Sequence, residues 1–464
     1  ESLLSAVIAG FAGGVAARVW TGRTWESGPP AAFTVVLNHP GAVRAMFWPF
    51  DHAGLGESYV FDDCDIEGDI FAFVAWLRHL IGIVNGHTLL AKLGLLRLLL
   101  KVPNQRNPRD PSKIGRPRAA GQGAAADRRG ISIHYDRPPA FYRLFLGTAM
   151  QYTCAYFRAA DDTLEDAQRQ KMDHVCRKLR LRPGQRLLDI GCGWGGLLRH
   201  AATHYGVTGV GVTLAGEQAE MAIRANRDAG LADRIGIEFC HFRDMTYAAE
   251  FDAVSSVGMT EEVGNRHLPA YMRAVARALK PGGVYLHHAI NLRPHTPFPR
   301  WTAFARKYVF PNGDLQTMPF VVGEAARAGI EARDVENIRE HYTRTLRHWV
   351  RNLEASHAEA VRVTDEATYR IYRLYMAGAA MGFDSGTYQL NQILFVKPAA
   401  DGTGVRIEHG GGLVTAYAGL GGLSVAAGAC VKGGTAIGTL GDGGELSFGL
   451  LQDGKPVDPL PYLQ

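Results

Sequence analysis

The stretch QRLLDIGCGWGGLLRHAATHYGVTGVGVTL, residues 185–214, decides the fold class. It places an apolar strand pattern, a glycine-rich turn and a helix pattern in front of a second apolar strand pattern. Gly191, Gly193 and Gly196 have the G-x-G-x-x-G spacing, which lets backbone N–H groups approach a ligand at the N-terminus of a helix. Strand and helix patterns go on alternating to about residue 398, which predicts a parallel α/β sheet covered on both faces.

Two neighbouring features indicate which cofactor this loop would bind. Asp189 lies two residues before the first glycine, where dinucleotide-binding folds usually have an apolar residue, and a carboxylate there suits a cofactor that carries an ammonium group. A dinucleotide site also needs an acidic residue at the end of the next strand, but Thr213 and Gln218 are neutral, and Glu217 already lies on the helix side. The loop therefore favours S-adenosyl-L-methionine over NAD. A purely structural glycine turn is the remaining alternative.

Composition limits the class of protein. The chain has 464 residues, enough for two or three domains, and a net charge of +5. This charge is too small to indicate nucleic acid as a partner, but it is compatible with an anionic membrane surface. The six cysteines form no C-x-x-C pair, which predicts neither a metal site nor a disulfide framework and favours a reducing cytoplasm.

Changes in composition divide the chain into four parts. Residues 1–101 are predicted to form a small N-terminal domain. Residues 102–130 carry seven basic residues against two acidic ones and are predicted to be a flexible basic linker, or else an arm that faces a membrane. Residues 131–400 are the α/β domain, and the glycine-dense residues 401–464 are predicted to form a small all-β module.

The N-terminal part mixes local patterns. The segments FTVVL (33–37) and ESYVF (57–61) are strand-like, and apolar helical stretches lie near residues 71–82 and 88–101. The uncharged segment 2–17 is too short for a convincing membrane span. We expect it to form a packed first helix, with the remnant of a signal sequence as the alternative.

Nine segments resemble, in order, the motifs of the cyclopropane-fatty-acyl-phospholipid synthases, which include the mycolic acid cyclopropane synthases. They are HYD (134–136), FYRLFLGTAMQYTCAYF (141–157), LLDIGCGWGG (187–196), VTLAGEQ (212–218), SVGMTEEVG (256–264), LHHAIN (286–291), YVFPNGDL (308–315), REHYTRTLRHWVRNL (339–353) and YRLYMAGAAMGFDSG (372–386). The first hundred residues resemble the smaller N-terminal domain of the bacterial members. The implied fold is a Rossmann-like S-adenosylmethionine-dependent methyltransferase, with a smaller N-terminal α+β domain and a small all-β C-terminal module.

The resemblance also implies a reaction. This family methylates the cis double bond of an acyl chain, usually in a membrane phospholipid. Methyl transfer leaves a carbocation, which a dry site walled by aromatic faces can stabilise. In the family the base that closes the cyclopropane ring resembles a bound bicarbonate rather than a side chain.

Site residues follow from the matching motifs. The bicarbonate site would comprise Cys154, Glu261, His288, Ile290 (through its backbone) and Tyr342. Cofactor contacts would fall on Tyr135, Tyr152, Thr153, Gly191, Gly193, Thr213 and Gln218, to which the loop argument adds Asp189. The acyl tunnel would be lined by Trp301, Phe304, Tyr308 and Phe310. For most of these residues an ordinary place in the core is the alternative, but a carboxylate at position 261, after a buried-looking strand, is costly without a partner.

The sequence departs from the family pattern at four places. Arg137 begins RPPA where the family has Gly-Asn-Asp, and Glu262 replaces the usual histidine. HFRD (241–244) replaces DYRD, which puts the adenine contact in doubt, and Asn391 replaces a tyrosine. The product is left open as a result, because a methyl-branched or methylene chain results if the cation does not close the ring by losing a proton from the new methyl group.

The C-terminal segment resembles the second half of a lysostaphin-type zinc endopeptidase domain. The positions of the zinc-binding histidines hold Gly419, Glu445 and Ser447. A catalytic zinc needs about three protein ligands, and His409 alone does not supply them. We therefore predict an inactive module without a metal.

The leading hypothesis is a lipid methyltransferase that acts on acyl chains of membrane phospholipids. It would be cytoplasmic and peripheral on the inner face of the membrane, with an anionic membrane surface as partner, no nucleic acid and a homodimeric state. The alternatives are synthesis of methyl-branched chains, a small-molecule methyltransferase, and a non-catalytic envelope-binding protein in which the methyltransferase fold is a relic.

Overall fold

The computed structural model describes residues 11–462 except 12, 29, 49–51, 87–88, 111–136, 296–301, 312, 399–403, 427, 441–445 and 454. In this part of the chain, every helix is too short or too polar to span a bilayer.

The N-terminal domain pairs a four-stranded sheet with helices. The strands are β1 (Val15–Val19), β2 (Thr24–Ser27), β3 (Phe33–Leu37) and β4 (Cys64–Gly68), in the order β2-β1-β3-β4. The helices are α1 (Ala42–Phe47), α2 (His52–Val60), α3 (Ile70–Gly86) and α4 (Leu89–Leu100). Alternate residues of β3 are buried, which places one face of this sheet on the core. This is the predicted α+β domain.

Two local predictions in this domain are wrong. Residues 57–60 belong to helix α2, because Tyr59 and Val60 both pack into the core from this helix, and this packing outweighs their preference for strands. Residues 15–17 lie in β1, which is paired on both sides, so the expected first helix does not reach them. The rest of that expectation falls mainly on residues 1–10, outside the described residues.

The α/β domain is built on one large sheet. Its strands are β5 (Arg186–Ile190), β6 (Thr208–Thr213), β7 (Ile235–Phe239), β8 (Phe251–Val257), β9 (Leu279–Leu292), β10 (Gln316–Thr317), β11 (Glu331–Asn337) and β12 (Tyr388–Val396). The order is β11-β12-β9-β8-β5-β6-β7, and β10 pairs with β9. Strands β5 to β9 run parallel, while β12 runs antiparallel to β9. The predicted parallel core is confirmed, and the carboxyl ends of its strands form one edge of the sheet.

Helices cover this sheet. They are α5 (Pro139–Leu146), α6 (Leu164–Lys178), α7 (Gly196–Tyr205), α8 (Gly216–Asp228), α9 (Thr260–Ala278), α10 (Thr302–Tyr308), α11 (Met318–Arg327), α12 (Arg339–Ala355), α13 (His357–Val363) and α14 (Glu366–Asp384). The predicted amphipathic helix is α6. The Thr163 hydroxyl caps it by accepting the N–H of Asp166, and the basic residues of its last turn suit the negative end of the helix dipole.

Two arginines of α14 join the domains. The Arg373 guanidinium donates to the Tyr59 hydroxyl at 3.0 Å and to the carbonyls of Ile66 and Gly68 at 3.1 and 3.2 Å. Arg370 donates to the Tyr59 carbonyl at 2.9 Å. These bonds satisfy buried carbonyls of the N-terminal domain, and one apolar cluster extends across both domains.

The first residues of the predicted flexible linker are anchored to the N-terminal domain. Asn107 N–H donates to Asp63 Oδ1 at 2.7 Å, and Arg109 forms an ion pair with the same fully buried carboxylate. Arg44 donates to the Val102 carbonyl at 3.1 Å. Residues 102–110 stay largely exposed, but these bonds hold them against the N-terminal domain, where Arg109 neutralises a buried charge. The remainder of the linker, residues 111–130, lies outside the described residues.

The C-terminal module is all-β, as predicted. Strands β13 (Val405–Glu408), β14 (Leu413–Ala418), β17 (Ser447–Gln452) and β18 (Lys455–Val457) form an antiparallel sheet in that order. Strand β15 (Leu420–Leu423) pairs with β16 (Gly438–Leu440), and a 3-10 turn covers Leu460–Tyr462.

Candidate active site

The glycine loop after β5 has the left-handed backbone that glycine allows. Gly191 and Gly193 have φ angles of 83° and 54°, a region that side chains rarely adopt. A Cβ at Gly191 would lie 2.7 Å from the Met259 side chain. The loop leads into the N-terminus of α7 at Gly196, where backbone N–H groups are available to a ligand.

A cavity of about 120 Å³, the smaller cavity, opens beside this loop. Of the predicted cofactor contacts, those that line it are Tyr152, Thr153, Asp189, Gly191, Gly193, Thr213 and Gln218. Tyr135 lies outside the described residues. His241 and Phe242 belong to the same wall, at the place where the sequence departs from the family pattern.

Asp189 brings a buried carboxylate to this cavity. It is 3 % exposed, and the Ser255 hydroxyl donates to its Oδ1 at 2.8 Å. Burial raises the pKa of Asp189 to about 6, against the opposing effects of Ser255 and Lys171. The group is therefore ionised at neutral pH, at a cost that an ammonium partner would reduce.

A second cavity of about 470 Å³, the larger cavity, adjoins the first. Its wall is mainly apolar, and both domains contribute to it: Leu55, Val74 and Leu77 come from the N-terminal domain, whereas Tyr375 and Phe383 come from α14. The residues that line both cavities are Tyr152, Thr153, Gly258 and Glu262. The two spaces thus meet at the carboxyl edge of the sheet.

The five residues predicted for bicarbonate all line the larger cavity: Cys154, Glu261, His288, Ile290 and Tyr342. We call them the anion site. Val257 at the end of β8 pairs with His288 near the end of β9, and Glu261 follows in the first turn of α9. Neighbouring parallel strands therefore bring these side chains to one place, as their order in the sequence predicts.

Glu261 is held by its neighbour Ile290. The Ile290 N–H donates to Glu261 Oε1 at 2.8 Å, whereas the buried Oε2 has no partner among the described residues. Burial raises the pKa of Glu261 to about 7, although the Ile290 bond opposes the shift. This geometry differs from the expectation that the Ile290 N–H would face the ligand, because Glu261 already occupies that donor.

His288 presents a buried N–H donor. The Gln392 amide donates to His288 Nδ1 at 3.2 Å, which leaves the proton of the neutral ring on Nε2. The Nε2 atom is buried and has no partner in the described part of the chain. Burial and the charge of Lys171 hold the pKa of His288 well below its usual range, so the ring is neutral.

The other two side chains of the anion site are also fixed. The Cys154 thiol donates to the Ala155 carbonyl at 3.1 Å, and burial raises its pKa well above the usual range. The Tyr342 ring packs 4.6 Å from that of Phe383 and 6.0 Å from that of Trp349. A neutral thiol and packed aromatic rings therefore form an uncharged part of the cavity wall.

The predicted tunnel aromatics have different positions. Phe304 and Phe310 line the larger cavity. Tyr308 is outside its wall and packs on Phe304 with ring centroids 5.0 Å apart, and Trp301 lies outside the described residues.

Sequence reasoning missed three contributions to the site. Gln392 orients His288 from the antiparallel strand β12, and the N-terminal domain supplies part of the larger cavity wall. Lys171 lies behind the smaller cavity on α6. Its sequence signal was present, because Ala167, Lys171 and Val175 recur at the i, i+4, i+8 spacing of the buried helix face.

Comparison with known proteins identifies the α/β domain. Residues 123–393 match the family model for mycolic acid cyclopropane synthetase. A probable fatty acid methyltransferase from Pseudomonas putida is 37 % identical over 388 residues, which is 83 % of this chain and 92 % of that protein. The cyclopropane-fatty-acyl-phospholipid synthase of Escherichia coli K12 is 36 % identical over 58 % of this chain and 68 % of its own length.

This chain belongs to the mycolic acid cyclopropane synthetase family. The structure of the cyclopropane synthase MmaA2 from Mycobacterium tuberculosis has a TM-score of 0.56 and 31 % identity, covering 58 % of this chain and 98 % of that one. A mycolic acid cyclopropane synthase, CmaA1, in a complex with SAH and CTAB has a TM-score of 0.55 and 30 % identity, with the same coverage of the two chains. As a member of this family, the chain is an S-adenosylmethionine-dependent methyltransferase of the cyclopropane synthase type.

The C-terminal module of this chain resembles a different family. Residues 391–459 match the model for peptidase family M23. Gly419 follows β14 and Ser447 begins β17, while Glu445 lies outside the described residues. His409 Nε2 lies 2.7 Å from the Thr415 hydroxyl. The described residues contain no group of three or more His, Cys, Asp or Glu side chains arranged for a metal, and the inactivity of the module stays a prediction.

Proposed function

We propose that this protein transfers a one-carbon group from S-adenosylmethionine to the cis double bond of an unsaturated phospholipid acyl chain and closes a cyclopropane ring. The observation that carries this proposal is the junction of the two cavities. The larger, mainly apolar cavity meets the smaller one at Thr153 and Gly258. Glu261 and His288 bring to the larger cavity buried polar atoms that have no partner among the described residues. An acyl chain is the substrate that such an apolar wall accommodates.

The aromatic wall suits the charge that the reaction creates. An alkene is a weak nucleophile, so its π face must be held in line with the methyl donor. Attack leaves a cation on the neighbouring carbon of the chain, and the rings of Tyr342, Phe383 and Tyr375 line the cavity where that chain would lie. Their electron-rich faces stabilise a cation without reacting with it, and exclusion of water prevents its quenching.

The anion site fits bicarbonate by its donors and acceptors. Neutral His288 offers an Nε2–H donor, and Glu261 Oε2 is able to accept a hydroxyl hydrogen. Bound there, bicarbonate would supply the base for ring closure. Glu261 orients the anion through its hydroxyl, and the Ile290 N–H keeps the carboxylate in position for that task.

We further propose that the protein works at an anionic membrane surface on the cytoplasmic side. Five basic residues of segment 111–130 support this: Lys113, Arg116, Arg118, Arg128 and Arg129. Arg109, by contrast, is used within the N-terminal domain, where it pairs with Asp63. A basic segment of this kind attracts anionic lipid with about 1 kcal/mol per residue near the surface.

Mass spectrometry of the lipid product tests the proposed reaction. The purified protein is incubated with vesicles of a cis-unsaturated phospholipid and S-adenosylmethionine labelled with ¹³C in its methyl group. We expect one labelled carbon per modified chain and a cyclopropane that resists hydrogenation. A methyl-branched or methylene-bearing chain would support the alternative product that the sequence leaves open, and transfer to small soluble acceptors alone would contradict the proposal.

A further inference from the structure

One lysine is enclosed beside the smaller cavity, although the reaction described above does not use it. Lys171 is 1 % exposed. An ammonium group is rarely buried without an anionic partner, because its removal from water is costly. Here Nζ donates to Gln151 Oε1 at 2.7 Å and to Thr153 Oγ1 at 2.8 Å, and both acceptors are neutral.

Helix α6 holds the segment 151–153 in two ways. The Gln168 amide donates to the carbonyls of Thr153 and Gln151 at 2.9 and 3.3 Å, which fixes the backbone. Lys171, three residues further along the same helix face, fixes the two side chains. The segment is therefore braced as a unit against the cofactor cavity.

The lysine also determines which polar atoms of Gln151 and Thr153 are available to a ligand in the smaller cavity. An ammonium group only donates, so Gln151 must turn its oxygen towards Lys171 and its NH₂ group away from it. In the same way, Thr153 accepts from Lys171 and must direct its hydroxyl hydrogen elsewhere. Both residues line the smaller cavity, and Gln151 Nε2 lies directly against Gly196, the first residue of α7. The Gln151 NH₂ group donates to the Ala149 carbonyl at 3.4 Å and has a second hydrogen, so this wall offers hydrogen-bond donors beside the positive end of a helix.

The opposite charge comes from Asp189, which lines the same cavity. Lys171 and Asp189 interact electrostatically, and each opposes the effect of burial on the other. The cavity thus contains a carboxylate at one place and a donor wall backed by a cation at another. The amino-acid end of S-adenosylmethionine carries both an ammonium and a carboxylate, which is the complementary pair.

We propose that Lys171 is a positioning residue that makes the wall of Gln151 and Thr153 the receptor for the carboxylate of the cofactor. The inference deepens the cofactor part of the proposed function and rests on it. It does not depend on bicarbonate or on the identity of the lipid. It acts through the two cavity residues, since Lys171 itself does not line either cavity.

Calorimetry with two cofactor probes tests this role in the full-length protein. S-adenosylmethionine carries the carboxylate, and decarboxylated S-adenosylmethionine lacks it. For Lys171→Met we expect affinity for the first probe to fall about tenfold or more, the scale of a lost charge-assisted hydrogen bond, and affinity for the second to change less than about twofold. Methionine fills a similar volume, but the change leaves the Asp189 charge without its cation and two acceptors without a donor, so the unfolding temperature should fall. The readout is therefore the ratio of the two affinities, measured at a temperature where circular dichroism shows the variant folded.

A matched control is available on the same helix. Lys178 lies seven residues further along α6 and pairs with Glu336 at 2.7 Å, away from both cavities. Lys178→Met should leave both affinities unchanged. The double variant Gln151→Leu and Thr153→Val should lose affinity for S-adenosylmethionine. If the lysine acts through these two residues, adding Lys171→Met to that variant should lower the affinity little further.

The kinetic pattern provides a second readout. In Lys171→Met the KM for S-adenosylmethionine should rise more than kcat falls, because the lost contact exists before the chemical step. Equal weakening of both probes would indicate general damage to the cavity and would overturn the proposal, as would an unchanged affinity for S-adenosylmethionine. If the wild type binds S-adenosylmethionine but does not modify lipid, the proposed function fails while the role of Lys171 can still be measured. If Lys171→Met loses affinity only for the probe that carries the carboxylate, the role of Lys171 is supported whatever the lipid product.

Discussion

The backbone N–H of Ile290 donates to Oε1 of Glu261 at 2.8 Å, and this bond determines which carboxylate oxygen is available at the end of the larger cavity. Oε2 is buried and has no partner among the described residues. The bond joins strand β9 to the first turn of α9, so the orientation of Glu261 follows from the sheet itself. A carboxylate held in this way is suited to orienting a ligand, whereas a side chain that removes a proton from the substrate would need to move.

Gly193 should be essential for cofactor binding. Its φ is 54°, and a Cβ there would meet no protein atom within 4 Å, although the residue lines the smaller cavity. A valine side chain would therefore strain the loop and occupy the space of the ligand. We expect Gly193→Val to abolish binding of S-adenosylmethionine in calorimetry while the protein remains folded.

A control separates backbone strain from blockage of the cavity. Gly230 also has a positive φ, 66°, and open space around its Cβ position, but it does not line the smaller cavity. Gly230→Ala should bind the cofactor normally. Unchanged cofactor affinity in folded Gly193→Val would contradict the assignment of the loop.

Stability should fall as pH rises because of Glu261. Burial raises its pKa from 4.5 to about 7, so the unfolded chain releases this proton at lower pH than the folded chain. The free energy of unfolding therefore decreases between about pH 4.5 and 7, by about 3 kcal/mol for a shift of this size. Urea unfolding at pH 5 and pH 8 should show a smaller difference for Glu261→Gln than for the wild type.

Glu324→Gln is the matched control for this pH experiment. Glu324 is also buried, on α11, and pairs with Arg327 away from both cavities. Its substitution should leave most of the difference in unfolding free energy between pH 5 and pH 8 in place. If the free energy of unfolding decreases equally for Glu261→Gln and for the wild type between pH 5 and pH 8, the assignment of a raised pKa to Glu261 is wrong.

The C-terminal module should contain no stoichiometric zinc. The sequence resemblance implies zinc-binding histidines at the positions of Gly419, Glu445 and Ser447, and His409 alone does not supply the three ligands of a catalytic zinc. We expect elemental analysis of the purified protein to find well below one zinc per chain, and no cleavage of peptidoglycan. One tightly bound zinc per chain would refute this prediction.

Binding to vesicles should require anionic lipid and weaken in high salt. Screening of exposed charges acts beyond about 8 Å at physiological ionic strength, so the basic residues of segment 111–130 would lose their attraction as salt increases. Sedimentation with anionic and neutral vesicles measures this dependence. Replacing the five basic residues of that segment with glutamine should abolish this dependence on anionic lipid and salt. If the wild type binds neutral vesicles in high salt as well as it binds anionic vesicles, the segment is only a linker.

Much of the α/β domain could be predicted because its determinants are local. The glycine loop after β5 and the polar residues at the carboxyl ends of neighbouring strands are legible in the sequence, since parallel strands bring their ends together. The same rule anticipated that Glu261 and His288 would meet. Cys154 and Tyr342, which come from outside these strands, were added only by the resemblance to the family motifs.

What the sequence did not reveal depends on distant contacts. Segment 57–60 is helical because tertiary packing buries Tyr59, and residues 102–110 are anchored because Asp63 needs a cationic partner. Gly56 lets the ring of Phe304 approach the N-terminal domain, since a Cβ there would collide with it. A buried lysine such as Lys171 resembles an ordinary amphipathic position until its two acceptors are known.

Turnover of Glu261→Gln with and without bicarbonate tests the central claim most directly. Glutamine keeps the shape of the side chain but places an NH₂ donor where an acceptor is needed. We expect binding of S-adenosylmethionine near that of the wild type and turnover on vesicles of unsaturated phospholipid lower by about 10²-fold, the scale of a disabled proton-transfer step. Depletion of bicarbonate should slow the wild type strongly and the variant much less. A wild-type rate that is indifferent to bicarbonate, together with near-normal turnover of the variant, would contradict the proposed anion site.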